Sequence, residues 1–200
     1  MIKLVIFDLD GVLVDARELH YEALNRALAG LGFTISRDEH LSTYDGLPTT
    51  KKLELLTENK GLQKENYDLI WKKKQEFTSL IINEEMTYDE RLRGILSKLK
   101  SQGYTICVAS NSIRESVKMM LIRKGLLEYI DFFYSNQDVS KPKPSSEIYL
   151  KCMIKAGFNP DETVIVEDSH IGRKAAQSSG ATLCAVRDVD DVTYDHIKKH

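Results

Sequence analysis

The sequence lacks a strong excess of charge of either sign, because 28 Lys and Arg residues oppose 30 Asp and Glu residues, for a net charge of −2. Such a balance supplies no attraction along the whole chain for nucleic acid or for an anionic membrane. No apolar run approaches the roughly 20 residues of a membrane span. The N-terminus carries a single lysine, a strand-length apolar run and then acids, which is not the pattern of a signal peptide. We therefore expect a cytoplasmic protein without nucleic-acid or membrane partners.

Cysteine is scarce, and its three positions, Cys107, Cys152 and Cys184, are widely spaced and odd in number. This pattern does not predict a disulfide framework. Two of the three lie inside apolar segments typical of strands. We interpret all three as reduced core thiols, without a metal-binding or catalytic role.

Strand-like segments are missing from residues 16–85, where apolar residues recur at helical spacing, but they return afterwards. Apolar, β-branched runs predict strands at 3–7, 104–109, 131–134, 163–166 and 181–186. Helical segments separate these strands, which indicates an α/β fold: a Rossmann-like parallel sheet with helices on both faces. The helical stretch after the first strand is too long for a crossover. We predict a core of residues 1–15 and 86–200 and an inserted all-helical cap subdomain of residues 16–85.

Polar side chains follow three of the predicted strands, where the strand bodies are apolar. The first pair is Asp8 and Asp10, followed by Gly11, which permits a sharp turn. The other positions are Ser110, Asn111, Glu167 and Asp168, with Lys141 and Lys143 in a loop after the short third strand. In a parallel sheet these ends share one edge, so the four carboxylates crowd together unless a cation compensates them. Oxygen ligands without His or Cys favour Mg²⁺. Taken alone, Asp8 to Gly11 also fits an ordinary turn.

The same groups supply what phosphoryl transfer requires. A hard cation, a lysine and a hydroxyl beside backbone N–H groups can hold a phosphoryl group. One carboxylate can attack phosphorus, and a second can protonate the leaving oxygen and then activate water.

Four motifs in order give the chain its resemblance to the haloacid dehalogenase-like hydrolase superfamily, in its helical-cap branch of phosphatases and β-phosphoglucomutases. They are Asp8-Leu9-Asp10-Gly11-Val12, Ser110 after the strand ICVA, Lys141 in SKPKP, and Val166-Glu167-Asp168-Ser169. The resemblance implies that Asp8 is the nucleophile and a metal ligand. It implies that Asp10 is the general acid/base and a metal ligand through its carbonyl. By the same resemblance Ser110 and the Asn111 N–H bind the phosphoryl oxygens, and Asp168 and Glu167 support Mg²⁺.

Two lysines compete for the remaining catalytic position. The resemblance favours Lys141, as the first lysine before a proline, to screen the charge between nucleophile and phosphate; Lys143 is the alternative. Asp10 argues against the dehalogenases themselves, which lack the second aspartate. No cap lysine lies in a pattern typical of the phosphonatases.

The cap residues bear on the choice between phosphatase and mutase. His20 stands where the mutase-like branch has a histidine on its first cap helix. Thr49 stands where the mutases carry an arginine that holds a distal phosphate, and Lys51 or Lys52 is a point charge rather than a bidentate clamp. We expect substrate contacts from His20, Thr49 and Lys51.

We therefore predict a Mg²⁺-dependent phosphatase that hydrolyses a small phosphorylated metabolite through an aspartyl-phosphate and acts as a monomer. The alternatives are a β-phosphoglucomutase-like phosphotransferase and a non-catalytic binding protein on the same fold. The last stretch, Asp188 to His200, predicts a short helix or a frayed tail.

Overall fold

Five parallel strands form one sheet in the computed structural model, which describes all 200 residues. The strands are β1 (Leu4–Phe7), β2 (Thr105–Ala109), β3 (Phe132–Tyr134), β4 (Thr163–Glu167) and β5 (Thr182–Ala185). Their order across the sheet is β3-β2-β1-β4-β5, so the first strand of the chain is the central one. The predicted parallel α/β fold is confirmed.

Both faces of the central strand are buried, which explains its apolar sequence, LVIF. Successive side chains of a strand point to opposite faces of the sheet. Leu4 and Ile6 pack into a cluster that includes Tyr149, Cys152 and Ala175. Val5 and Phe7 are buried on the other face. A strand covered on both sides reads as a continuous hydrophobic run rather than an alternating one.

Nine α-helices accompany the sheet. They are α1 (Arg17–Ala29), α2 (Arg37–Glu39), α3 (Thr49–Lys60), α4 (Tyr67–Glu85), α5 (Glu90–Ser101), α6 (Arg114–Arg123), α7 (Glu147–Ala156), α8 (His170–Ser178) and α9 (Tyr194–Lys198). Helices α3 and α7 each end at a glycine in the left-handed conformation, Gly61 and Gly157, as is common at helix C-termini. None of the helices combines the length and the apolar character that crossing a membrane requires.

The chain divides into two compact units, which we call the sheet unit and the helical unit. The sheet unit comprises Met1–Asp15 and Thr87–His200, and the helical unit comprises Ala16–Met86. The sequence predicts the second boundary one residue earlier, between residues 85 and 86, than the boundary between Met86 and Thr87 in the structure. The helical unit contains no strand and has its own apolar core, formed by residues that include Leu24, Leu28, Leu53, Leu56 and Ile70.

Two short segments add to the secondary structure. Residues His40–Tyr44 form a π-helical turn. Residues 194–198 form α9, whose first turn is capped by the Thr193 hydroxyl accepting from the His196 N–H at 3.1 Å. The tail is therefore a short helix rather than a frayed end.

Candidate active site

The site lies at the carboxyl edge of the sheet, where β1 and β4 run side by side. The chain passes from β1 to β2 and β3 on one side of the sheet and then returns to β4 on the other. In open α/β sheets this change of direction creates a crevice outside the strand ends, in which ligands bind. Phe7 pairs with Val166 in the ladder, and the Asp8 N–H donates to the Val166 carbonyl at 3.0 Å. Asp8 and Glu167 therefore occupy neighbouring positions on adjacent strands, at the edge of this crevice.

A single buried lysine bridges these two carboxylates. Lys143 Nζ lies 2.9 Å from Asp8 Oδ1 and 2.7 Å from Glu167 Oε1. Burial lowers the pKa of Lys143, but the two carboxylates more than offset that effect, so its pKa lies above the ordinary value and the amine stays charged. Burial and then the negative charge of Glu167 raise the pKa of Asp8, although Lys143 partly opposes them.

Glu167 is enclosed by groups that leave it little freedom. The Tyr149 hydroxyl donates to Glu167 Oε1 at 2.6 Å, and the Ser169 N–H donates to Oε2 at 3.2 Å. A Cβ added to Gly172 would lie 1.8 Å from Oε1, so only glycine leaves room for this carboxylate. Burial raises the pKa of Glu167, but the Lys143 charge and these hydrogen bonds bring it below the ordinary value. Glu167 is therefore an anion held in place.

Asp168 completes a cluster of three carboxylates. One oxygen from each of Asp8, Glu167 and Asp168 lies within 4.8 Å of the others. A Cβ on Gly11, whose φ is +86°, would lie 2.1 Å from Asp168 Oδ2, so the glycine turn after β1 makes room for the acid that follows β4. Three carboxylates against one lysine leave a net negative charge in a mostly buried site. Oxygen ligands of this kind fit a hard divalent cation such as Mg²⁺.

The second aspartate is held by the loop that follows β2. The Ser112 hydroxyl donates to Asp10 Oδ2 at 2.7 Å. Ser110 is buried, and its Oγ accepts from the Ser112 N–H at 2.9 Å, which folds the loop back on itself. The structure thus brings Asp10, Ser110 and Ser112 together, although the first two are separated by a hundred positions of the chain.

The choice of Lys141 for contact with the nucleophile is wrong in the structure. Lys141 is exposed, and its backbone N–H donates to Glu147 Oε2 at 2.9 Å, as does that of Ser140 to Oε1 at 2.8 Å. Lys143, two residues after Lys141, is held through its backbone by the Asn111 side chain. The Lys143 N–H donates to Asn111 Oδ1 at 3.0 Å, and Asn111 Nδ2 donates to the Lys143 carbonyl at 3.2 Å. This clamp directs Lys143 inward.

Three further predicted residues belong to the helical unit. His20 lies on α1, with its Nδ1 3.5 Å from Lys74 Nζ. Thr49 is the first residue of α3 and is half-buried. Lys51 is exposed and forms an ion pair with Glu54 at 2.8 Å, whereas the next residue, Lys52, is buried. The roles of His20, Thr49 and Lys51 in substrate contact stay predictions.

Sequence reasoning missed Ser112, Tyr149 and Gly172. Ser112 had a weak signal, since it directly follows Ser110-Asn111, the pair that the resemblance assigns to phosphate binding. Tyr149 belongs to an apolar helical stripe and is indistinguishable there from core. Gly172 lies three residues into α8, where a glycine costs helix stability and so indicates a packing requirement.

The parallel α/β sheet carries a buried aspartate, a bridging lysine and a carboxylate cluster at its switch point. Comparison with known proteins identifies the family that has this fold. The chain belongs to the haloacid dehalogenase-like hydrolase family, whose sequence profile matches residues 5–186. A phosphorylated carbohydrates phosphatase from Thermotoga maritima is 30% identical over 176 residues, which cover 88% of this chain and 81% of that protein. A β-phosphoglucomutase from Bacillus subtilis is 30% identical over 189 residues, which cover 89% and 80%. The crystal structure of CbbY from Rhodobacter sphaeroides in complex with phosphate shares the fold, with a TM-score of 0.83, 24% identity and coverage of 92% and 86%.

Proposed function

We propose that this protein is a Mg²⁺-dependent phosphatase that hydrolyses a small phosphorylated metabolite through a phosphoryl group carried on Asp8. The family and its phosphatase members support a phosphatase-type enzyme. The observation that carries the proposal is the buried Asp8 carboxylate, which shares Lys143 with Glu167 at the switch point of the sheet. The expectations of a monomer and of a cytoplasmic location stay predictions.

Asp8 is arranged so that one of its two oxygens is free to attack. The Leu9 N–H, at 2.7 Å, and Lys143 Nζ, at 2.9 Å, both contact Oδ1. Oδ2 is therefore the attacking oxygen in this proposal. It forms a bond to phosphorus while the bond between phosphorus and the ester oxygen breaks. Lys143 offsets the negative charge between the carboxylate and the phosphoryl group, which would otherwise repel each other.

Asp10 handles the protons of both half-reactions. In the first, it donates a proton to the departing ester oxygen, and the alcohol leaves. In the second, it takes a proton from a water molecule, which attacks phosphorus, releases inorganic phosphate and restores Asp8. The Ser112 hydroxyl, 2.7 Å from Asp10 Oδ2, keeps the carboxyl group oriented through both steps. The buried Ser110 hydroxyl and the N–H groups of its loop are the donors for the phosphoryl oxygens.

The carboxylate cluster is the place where the residues fit a magnesium ion. Asp8, Asp168 and Glu167 would hold it, with the Asp10 carbonyl as a further ligand. When bound, the ion neutralises the carboxylates and the negative charge of the phosphoryl group.

The second candidate function is phosphoryl transfer within a sugar phosphate, as in the β-phosphoglucomutase relative. A mutase must hold a phosphate at both ends of its intermediate. Thr49 lacks the charge for this, and the exposed Lys51 is engaged by Glu54, which leaves the buried Lys52 as the candidate. The phosphatase is favoured because it needs tight binding of only one phosphate. Formation of glucose 6-phosphate from β-glucose 1-phosphate would establish the mutase instead.

The test is phosphate release from an aryl phosphate and a panel of phosphorylated metabolites, with Mg²⁺ and with EDTA. We expect Mg²⁺-dependent turnover that Asp8→Asn abolishes while the circular dichroism spectrum stays unchanged. A folded, Mg²⁺-binding protein that releases phosphate from no member of the panel would point to the binding-protein alternative. Substantial turnover by Asp8→Asn would show that another group is the nucleophile.

A further inference from the structure

A second cluster of metal-ligating side chains lies at the opposite edge of the sheet from β3, where the edge strand meets the last helix. Cys184 in β5 is buried, His196 in α9 is half-buried, and His200 follows α9 and is exposed. One ligand atom of each residue, a sulfur and two imidazole nitrogens, lies within 4.8 Å of the others. None of the three belongs to the carboxylate site.

The spacing of the two histidines suits a shared ligand. They are four positions apart in the sequence, with His196 inside α9 and His200 two residues beyond its last residue. Their ring centroids are 6.2 Å from each other. Imidazole nitrogens are common ligands of zinc.

His196 also has the supporting contact that metal-binding histidines usually have. Its Nδ1 lies 3.3 Å from the Asp191 carbonyl oxygen. A proton on Nδ1 donated to that carbonyl leaves the other nitrogen, Nε2, unprotonated and available as a ligand. Such a partner fixes both the tautomer and the direction of the ring. The Cys184 sulfur lies 3.9 Å from the His196 carbonyl, so the strand and the helix already meet at this point.

We propose that Cys184, His196 and His200 bind a zinc ion with a water molecule as the fourth ligand. Thiolate and imidazole ligands select Zn²⁺, Co²⁺ and similar ions, whereas the carboxylate site selects a hard ion, so the two sites bind different metals. This site goes beyond the proposed phosphatase activity. All three cysteines are free and buried, as the sequence predicts, and the proposal gives one of them, Cys184, a metal-binding role. Binding connects α9 to the edge strand β5.

Metal binding at this site is coupled to protons. Burial raises the pKa of Cys184 to about 11, so its thiol is protonated at neutral pH. The metal displaces that proton, because the thiolate is the ligand. We therefore expect the affinity to fall as the pH is lowered.

The experiment uses the untagged full chain, reduced, freed of metal with a chelator and desalted. Co²⁺ is titrated in the presence of excess Mg²⁺, which occupies the carboxylate site. We expect saturation at a single equivalent, with a thiolate-to-cobalt charge-transfer band in the near ultraviolet and visible bands of a tetrahedral site. Zn²⁺ should then remove the spectrum by displacing Co²⁺. The charge-transfer band is the decisive readout, since carboxylate ligands cannot produce it.

Variants connect the spectrum to the named residues. Cys184→Ser should abolish the charge-transfer band, whereas the matched control Cys152→Ser, which alters another buried thiol, should retain it. His200→Ala changes an exposed side chain. It should weaken Co²⁺ binding by roughly a hundredfold, since loss of outer-shell partners alone costs about ten- to a hundredfold. A wild-type protein without the band at saturating Co²⁺ overturns the proposal. So does a band that survives in Cys184→Ser, or an affinity that His200→Ala leaves unchanged.

Discussion

Replacing Lys143 with methionine removes a charge that two buried carboxylates share while keeping most of the side-chain volume. Nζ lies 2.9 Å from Asp8 Oδ1 and 2.7 Å from Glu167 Oε1, and all three groups are buried. Lys141→Met is the matched control, because Lys141 precedes a proline in the same loop but is exposed. The pair of variants compares Lys143, which contacts Asp8, with Lys141, which the sequence resemblance favours.

The expected loss of stability follows from the two buried carboxylates, Asp8 and Glu167, that remain without the lysine. Removing one member of a buried ion pair typically costs about 3–5 kcal/mol, because an uncompensated charge stays behind. For a chain of this size that corresponds to a lowering of the melting temperature by roughly 6–20 °C. Lys141→Met should change stability by less than about 0.5 kcal/mol, as is usual for surface positions. The loss in Lys143→Met should be smaller in Mg²⁺ than in EDTA, since a bound cation compensates the same carboxylates.

The assay combines thermal unfolding with steady-state kinetics on one phosphate ester. Lys143→Met should lower kcat by about 10²–10³-fold, the usual effect of removing one group that stabilises transition-state charge. Lys141→Met should retain the wild-type kcat. The reasoning is refuted if Lys143→Met melts and turns over like the wild type, or if Lys141→Met is the inactive variant.

Three further predictions concern single residues. Tyr149→Phe removes the hydroxyl that donates to Glu167 Oε1 at 2.6 Å, and urea unfolding should show a loss of about 1.5–3 kcal/mol; an unchanged midpoint would contradict the assigned bond. Gly172→Ala places a Cβ 1.8 Å from Glu167 Oε1, so it should cost about 1–3 kcal/mol and raise the Mg²⁺ concentration needed for half-maximal activity; wild-type Mg²⁺ activation would count against it. Burial, followed by the charge of Lys52, lowers the pKa of His40 to about 4. Because the folded protein favours neutral His40, the free energy of unfolding is highest above the unfolded pKa of about 6.5 and decreases as the pH falls toward 4. At pH 5 the decrease is roughly 2 kcal/mol. His40→Gln should show that much less acid destabilisation than the wild type in urea titrations at pH 8 and pH 5, and equal slopes for the two proteins would refute the assignment.

The clustering of the carboxylates at the sheet edge was predictable because local signals coincide at them. Asp8 and Asp10 end a buried apolar run, and Glu167 and Asp168 end another. Parallel strands bring such ends to one edge, so the sequence pattern and the sheet geometry agree without knowledge of the strand order. The residues that support these acids carry no comparable signal. Tyr149 and Gly172 both contact Glu167, and these contacts form only when the chain has folded.

What the sequence by itself determined is the alternation of strands and helices, the long helical stretch after the first strand, and the positions of the acids at the strand ends. The period of the hydrophobic residues and the positions of glycine and proline encode these features locally. Only the tertiary structure decided that Lys143 rather than Lys141 meets Asp8, because both lysines precede a proline and the Asn111 clamp comes from another strand end. It likewise brought Cys184 of the edge strand close to His196 and His200, which are far from it in the sequence pattern but near it in the fold.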